Sequence, residues 1–415
     1  MAPVTDPIDV PALRKDFPLL ARGEADRPLV YLDSAASAQR PQSVLDAMDH
    51  YYATTHANVH RGVYAIAEEA TRQLEAARVR LGRFIGAPHP DREVVFTKNA
   101  TEAINLAAFA WGRENLCPGD VVVLSEIEHH ANLVPWLMLK DELGIELRYI
   151  PLGADFHLDL SQLDRLVAGA KLVGVTAASN VLGTVVDLDP IVAAAHGAGA
   201  LVLVDGAQLA PHRRVDVAAL GVDFFALTGH KMLGPTGIGA LWARTELLET
   251  MPPFLGGGEM IRDVTLDGFT TNELPWKFEA GTPPIAEAIG LGAAVDYLEA
   301  VGLDRIGAHE TALVNYALDR LAATYDEVRV FGPAPDPRRR AGVISFAFGD
   351  VHPHDVAQVL DQTGVCVRAG HHCAKPLMRI LGVSATTRAS LYLYNDEADI
   401  DALVDGLATV RKLFS

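Results

Sequence analysis

Asp223-Phe224-Phe225-Ala226-Leu227-Thr228-Gly229-His230-Lys231 runs from an apolar stretch into a polar turn that carries a lysine. An apolar run of this length, bounded by turn residues, suits a strand covered on both faces of its sheet. The pattern predicts a buried strand from Asp223 to Leu227, with Lys231 just beyond its carboxyl end. In open α/β sheets that end is where ligands bind. Burial takes away part of a lysine's preference for the charged form, and the neutral amine can condense with an aldehyde. Most lysines in such turns are only surface residues, so the upstream sequence decides. There, Leu201-Val202-Leu203-Val204-Asp205-Gly206-Ala207-Gln208 gives a second strand, and it ends in an aspartate.

An amine that takes an aldehyde and an anion that keeps a pyridinium nitrogen protonated are the two groups pyridoxal 5'-phosphate requires. At this point the chain resembles the fold-type I pyridoxal-phosphate enzymes of the class-V aminotransferase family. Within them it is similar to the SufS-type (group II) cysteine desulfurases. The resemblance runs from about Tyr31 to about Asn395. Its motifs are Asp205-x-x-Gln208, Thr228-Gly229-His230-Lys231 and Arg368-Ala369-Gly370-His371-His372-Cys373.

Alternation of strands and helices from residue 93 onward independently points to an α/β fold. The expectation is a mainly parallel sheet, seven-stranded in the family, with helices on both faces and a smaller α+β domain. Residues 28–294 would form the large cofactor-binding domain and 295–415 the small domain with the cysteine loop. Residues 1–27 would join the small domain. Gly237 to Trp242 reads as a returning antiparallel strand, 252–273 as a glycine-rich loop or hairpin, and Ser390 to Tyr394 as the last strand.

The chain has 415 residues, 49% of them apolar, which fits one large and one smaller domain. The formal charge, 35 − 53 = −18, argues against a nucleic-acid partner. No apolar run is long enough to cross a membrane, and Met1 to Pro7 shows no signal-peptide pattern. Cys117, Cys366 and Cys373 are too few and too scattered for a disulfide scaffold or a four-ligand zinc site. A cytoplasmic setting, with no metal of the protein's own, is the simplest expectation.

Ala100 and Thr101 fall where a helix starts after a strand, a place that favours phosphate. Alone, Thr101 is simply a helix cap. The resemblance implies that Ala100, Thr101, Thr228 and His230 cradle the cofactor phosphate. It also implies that His129 stacks on the ring and shuttles a proton, and that Asn180 and Gln208 hold the ring hydroxyl. Asp205 would pair with the ring nitrogen. Thr282 would reach a cofactor phosphate across the interface of a homodimer. His130 reads as structural.

Cys373 discriminates a desulfurase from a transaminase. The implied reaction takes L-cysteine to L-alanine, with Lys231 moving the α-proton and Cys373 receiving the sulfur as a persulfide. Arg368, His371 and His372 are expected to favour its thiolate through positive charge. Arg388, with Asn180 beside it, is a fork for the substrate carboxylate, and His60 lines the mouth. His354 would engage a SufU-type zinc protein as sulfur acceptor, with a SufE-type protein as the alternative, feeding iron–sulfur cluster assembly. Selenocysteine lyase, an aminotransferase-like or kynureninase-like enzyme, and a non-catalytic scaffold are the alternatives.

Overall fold

The computed structural model describes residues 7–22 and 29–414. Residues 1–6 and 23–27 of the expected N-terminal segment, with the start Met1–Asp6, lie outside the described residues. The central sheet has seven strands. Their spatial order is Val94–Thr97, Gly239–Ala243, Phe224–Thr228, Leu201–Asp205, Ala170–Thr176, Val121–Ser125 and Glu146–Ile150. The last five run parallel to one another. Gly239–Ala243 runs antiparallel to both its neighbours, as the returning strand is expected to do.

The apolar runs exist because both faces of this sheet are covered. Val202, Val204, Phe225 and Leu227 enter one core cluster, which includes Leu74 and Leu81 of the helix Ala65–Phe84 and Leu291 of the helix Ile285–Val301. Their sequence neighbours Leu203, Phe224 and Ala226 enter a second cluster with Ile104, Trp136 and Leu139. Side chains of a strand alternate between its faces, so every position in a doubly covered strand is apolar.

A four-stranded antiparallel sheet forms the small domain, in the order Val328–Phe331, Val343–Phe348, Thr386–Ser390, Arg368–Gly370. Its apolar cluster joins the helices Leu303–Thr324, Pro353–Gln362 and Glu397–Phe414. Val30–Tyr31 pairs with Val365–Cys366, and Val30 and Leu32 belong to this same cluster. The start of the 28–294 stretch therefore sits with the small domain.

The final strand lies four residues earlier than its apolar content suggests. Thr386–Ser390 forms the ladder, whereas Leu391 to Tyr394 is a buried turn. Tyr392 Oη donates to Pro211 O at 2.9 Å, and Tyr394 Oη meets Ser34 Oγ at 2.7 Å. The tyrosines anchor the small domain to the large one. Between residues 252 and 273 the hairpin Ile261–Val264/Phe269–Thr271 forms, with Val264, Leu266 and Phe269 exposed.

Candidate active site

Asp205 and Lys231 meet because their strands are neighbours, with Asp205 opposite Ala226 in the ladder. Thr228 ends the lysine strand, and the short 3-10 turn Gly229–Lys231 carries Lys231 over the sheet edge. Both side chains line one cleft, together with Ala100, Thr101, His129, Asn180, Gln208, Thr228, His230, Arg368, Cys373 and Arg388. Twelve of the residues singled out in the sequence thus converge on one place.

The electrostatics follow from burial. Burial lowers the Lys231 pKa to about 8; Asp205 opposes that shift, and the charge of Arg388 adds to it. Burial also raises the Asp205 carboxyl, against the pull of Lys231 and the Ala207 N–H. His129 is pushed down to about 3 by burial and by the charges of Lys231, His130 and Arg388, so its ring is neutral near pH 7. Its Nδ1 accepts the Ala131 N–H at 3.1 Å, which places the ring proton on Nε2. His230 is lowered to about 4, first by burial and then by Lys231 and Arg40.

Two arginines occupy the far side of the cleft. Arg388 is 2% exposed in its side chain. Its Nη1 donates to Asn180 O at 2.9 Å and its Nη2 to Asp33 Oδ1 at 3.1 Å. Arg388 Nε is buried with no partner. Arg368 grips Asp33 through Nε at 3.1 Å and Nη2 at 2.9 Å. Asp33 therefore aligns both guanidinium groups, a role the sequence reading missed. Its one signal was its place at the end of the short strand with Tyr31.

Cys373 is exposed, in a turn where His372 and Cys373 have φ of 51° and 56°. Left-handed geometry in residues with a Cβ costs on the order of 1–3 kcal/mol each. Asn180 Nδ2 donates to His372 O at 2.7 Å. His372 Nε2 lies 2.9 Å from Thr386 Oγ1, and burial lowers its pKa to about 3. A neutral, inward His372 supplies no positive charge to the thiol, contrary to the expectation from sequence. Arg368 is paired with Asp33, yet its charge still acts on the thiol as expected.

Glu128 was also missed. It lies fully buried beneath His129, with Ser125 Oγ donating to Oε1, Thr176 N–H at 2.8 Å and Asn132 Nδ2 at 2.8 Å. Burial is the main reason its carboxyl rises to about 8, with Asp205 adding to it.

Three singled-out residues lie elsewhere in this chain. His60 Nε2 is 3.0 Å from Glu75 Oε1, and its ring packs edge-on to Trp276, so it lines no part of the cleft. Thr282 is exposed in an outer pocket with Phe254, Leu255 and Pro283. His354 is exposed at the start of the helix Pro353–Gln362, its ring 5.2 Å from that of His352.

Residues 30–403 match the family described as aminotransferase class-V, and the chain belongs to that family. Among its relatives, a probable cysteine desulfurase of Streptomyces coelicolor is 52% identical over 413 residues, covering 98% of each chain. A cysteine desulfurase of Haloferax volcanii is 47% identical over 422 residues, covering 99% of this chain and 98% of that one. Two solved structures superpose over nearly the whole chain. The cysteine desulfurase CsdA from Escherichia coli has a TM-score of 0.91 at 40% identity, covering 99% of this chain and 100% of that one. The apo cysteine desulfurase from Thermococcus onnurineus has a TM-score of 0.93 at 40% identity over the same shares.

The family implies pyridoxal phosphate, and the cleft fits it. Thr228 Oγ1 is buried without a partner on the cleft wall, as a phosphate-facing hydroxyl would be. Asn99 caps the helix Ala100–Leu106 through Glu102 N–H, which leaves the Ala100 and Thr101 amides at its open end. A lysine, a buried acid and a neutral histidine line the same cleft and would suit the rest of the cofactor.

Proposed function

We infer that the chain is a pyridoxal-phosphate-dependent cysteine desulfurase, which takes L-cysteine to L-alanine and leaves the sulfur on Cys373. The observation that carries this reading is an exposed thiol lining the same cleft as Lys231, Asp205 and two arginines. A transaminase needs no such thiol.

Bound through Lys231, the cofactor supplies an electron sink for the carbon that loses its proton. Asp205 would pair with its ring nitrogen and His129 would stack on its ring. Asn180 and Gln208 would hold its hydroxyl, although Gln208 Nε2 also donates to Ala35 O at 2.8 Å. Ala100, Thr101, Thr228 and His230 would hold the phosphate, and Thr282 of a second copy would complete the cradle in a homodimer.

Arg388 Nε, which has no protein partner, receives the substrate carboxylate, and the charge of Arg368, held in place by Asp33, supports it. Lys231 Nζ, shifted to about 8, is an amine that takes the α-proton near neutral pH. His129 Nε2 holds the proton that the departing fragment needs. The Cys373 thiolate attacks the substrate sulfur, so one S–S bond forms as the Cβ–S bond breaks. Cysteine and a thiol become alanine and a persulfide, with no outside oxidant.

The exposed His354, beside His352, is the hand-off point to a zinc-bearing SufU-type acceptor supplying iron–sulfur cluster assembly. That makes the enzyme a SufS-type member acting in the cytoplasm.

The test is to add L-cysteine to the holoenzyme and measure alanine together with the mass of Cys373. One alanine with one added sulfur atom on Cys373 is expected. Cys373→Ser is expected to cut alanine formation by about 10³-fold or more. Alanine made without a sulfur adduct on Cys373 overturns the persulfide step, and no alanine overturns the desulfurase reading.

A further inference from the structure

The turn that presents Cys373 is held at two ends by residues from outside it. At the entry, Asn180 Nδ2 donates to His372 O and His372 Nε2 meets Thr386 Oγ1. At the exit, His130 makes both contacts. Its backbone N–H donates to Cys373 O at 2.7 Å. Its ring Nε2 accepts the Lys375 N–H at 3.0 Å, across 245 positions of sequence.

Lys375 opens the helix Lys375–Ile380, whose cap residue Ala374 has no side-chain acceptor. The first N–H groups of a helix have no intrahelical partners, and a side-chain oxygen at the cap normally meets one. The His130 ring takes the first of these groups, the Lys375 N–H, which lies before the second and third amides that a cap side chain reaches. To accept at Nε2 it must be neutral with its proton on Nδ1. Burial lowers its pKa, and the charges of His371 and Lys375 act the same way. The His371 ring packs against it, centroids 5.7 Å apart.

We propose that His130 is the positioning residue of the thiol loop: its Nε2 caps the first amide of the helix after Cys373 and so fixes where the thiol stands. His129 faces the cleft and His130 turns the other way, so one peptide unit ties the cleft wall to the loop that carries the nucleophile. The kinetic consequence rests on the desulfurase reading above; the structural one does not.

The experiment compares the holoenzyme with His130→Phe and His130→Gln. Phenylalanine keeps a ring but no acceptor, whereas the glutamine oxygen reaches about as far as Nε2. Amide hydrogen exchange over residues 369–380 is read without substrate, and alanine formation with saturating and subsaturating L-cysteine. Exchange in His130→Phe is expected to rise at least tenfold at Lys375. Its kcat is expected to fall at least tenfold with KM nearly unchanged, since the arginines that grip the substrate are untouched. His130→Gln is expected to return both toward wild type. Should His130→Phe not fold, His130→Asn is used, which is polar but too short to reach Lys375. Unchanged exchange, unchanged kcat despite faster exchange, or failure of glutamine to rescue each overturns the proposal. Absence of alanine from the wild type overturns the desulfurase reading instead, while the exchange comparison still decides the cap.

Discussion

Lys231 is the residue on which the chemistry turns, and its environment makes a measurable claim. An unburied lysine has an amine pKa near 10.5; here burial brings it to about 8. A depressed lysine pKa means that the nucleophilic, neutral form grows as pH rises through 8 rather than through 10.5. Apo-protein is therefore expected to take up pyridoxal phosphate faster between pH 7 and 9 and to level off above that range. The rise in visible absorbance after mixing gives the rate. A profile still climbing steeply at pH 10 would show that the cleft does not desolvate this amine. Arg388 and Asp205 act on Lys231 in opposite directions, so a variant lacking the Asp205 charge should move the midpoint downward.

The elements place these residues through close backbone contact. Gly239, on the antiparallel strand, lies where a Cβ would come within 2.7 Å of the Asn99 backbone and of Leu227 O. Asn99 caps the helix whose first amides would meet the phosphate under the proposed function, and Leu227 belongs to the lysine strand. Gly239→Ala must push these two elements apart. Such overpacking costs about 1–3 kcal/mol. The expected result is a lower melting temperature together with weaker cofactor retention, read by thermal denaturation and by absorbance after dialysis. A lower melting temperature with full retention would separate the packing from the site.

The strands were legible in the sequence because two covered faces make every residue apolar until the polar end, where Asp205 and Lys231 stand. The strand Thr386–Ser390 was not, since four of its five residues are polar although all five are buried. Its Arg388 is held through Nη1 and Nη2 by Asn180 and Asp33 from distant segments, and no local pattern encodes such partners. Glu128 and Asp33 escaped for the same reason: each is defined by what folds around it.

At the scale of the whole molecule, Thr282 is the discrepancy with consequences. It is exposed in an outer pocket, away from the cleft of its own chain. A role at the cofactor phosphate therefore requires a second copy, and complementation between copies can test it. Lys231→Ala protein lacks the amine, and Thr282→Ala protein lacks the contact that one chain would lend another. In a heterodimer of the two, the Thr282→Ala chain keeps its own Lys231 and borrows Thr282 from its companion, so one site is whole. Mixing the two variants under conditions of subunit exchange, with cofactor limiting, should raise alanine formation above that of either parent. One intact site per heterodimer sets the ceiling at half the wild-type rate for that species. If Thr282 served its own chain or no site at all, the mixture would show no more than the diluted activity of the Thr282→Ala parent.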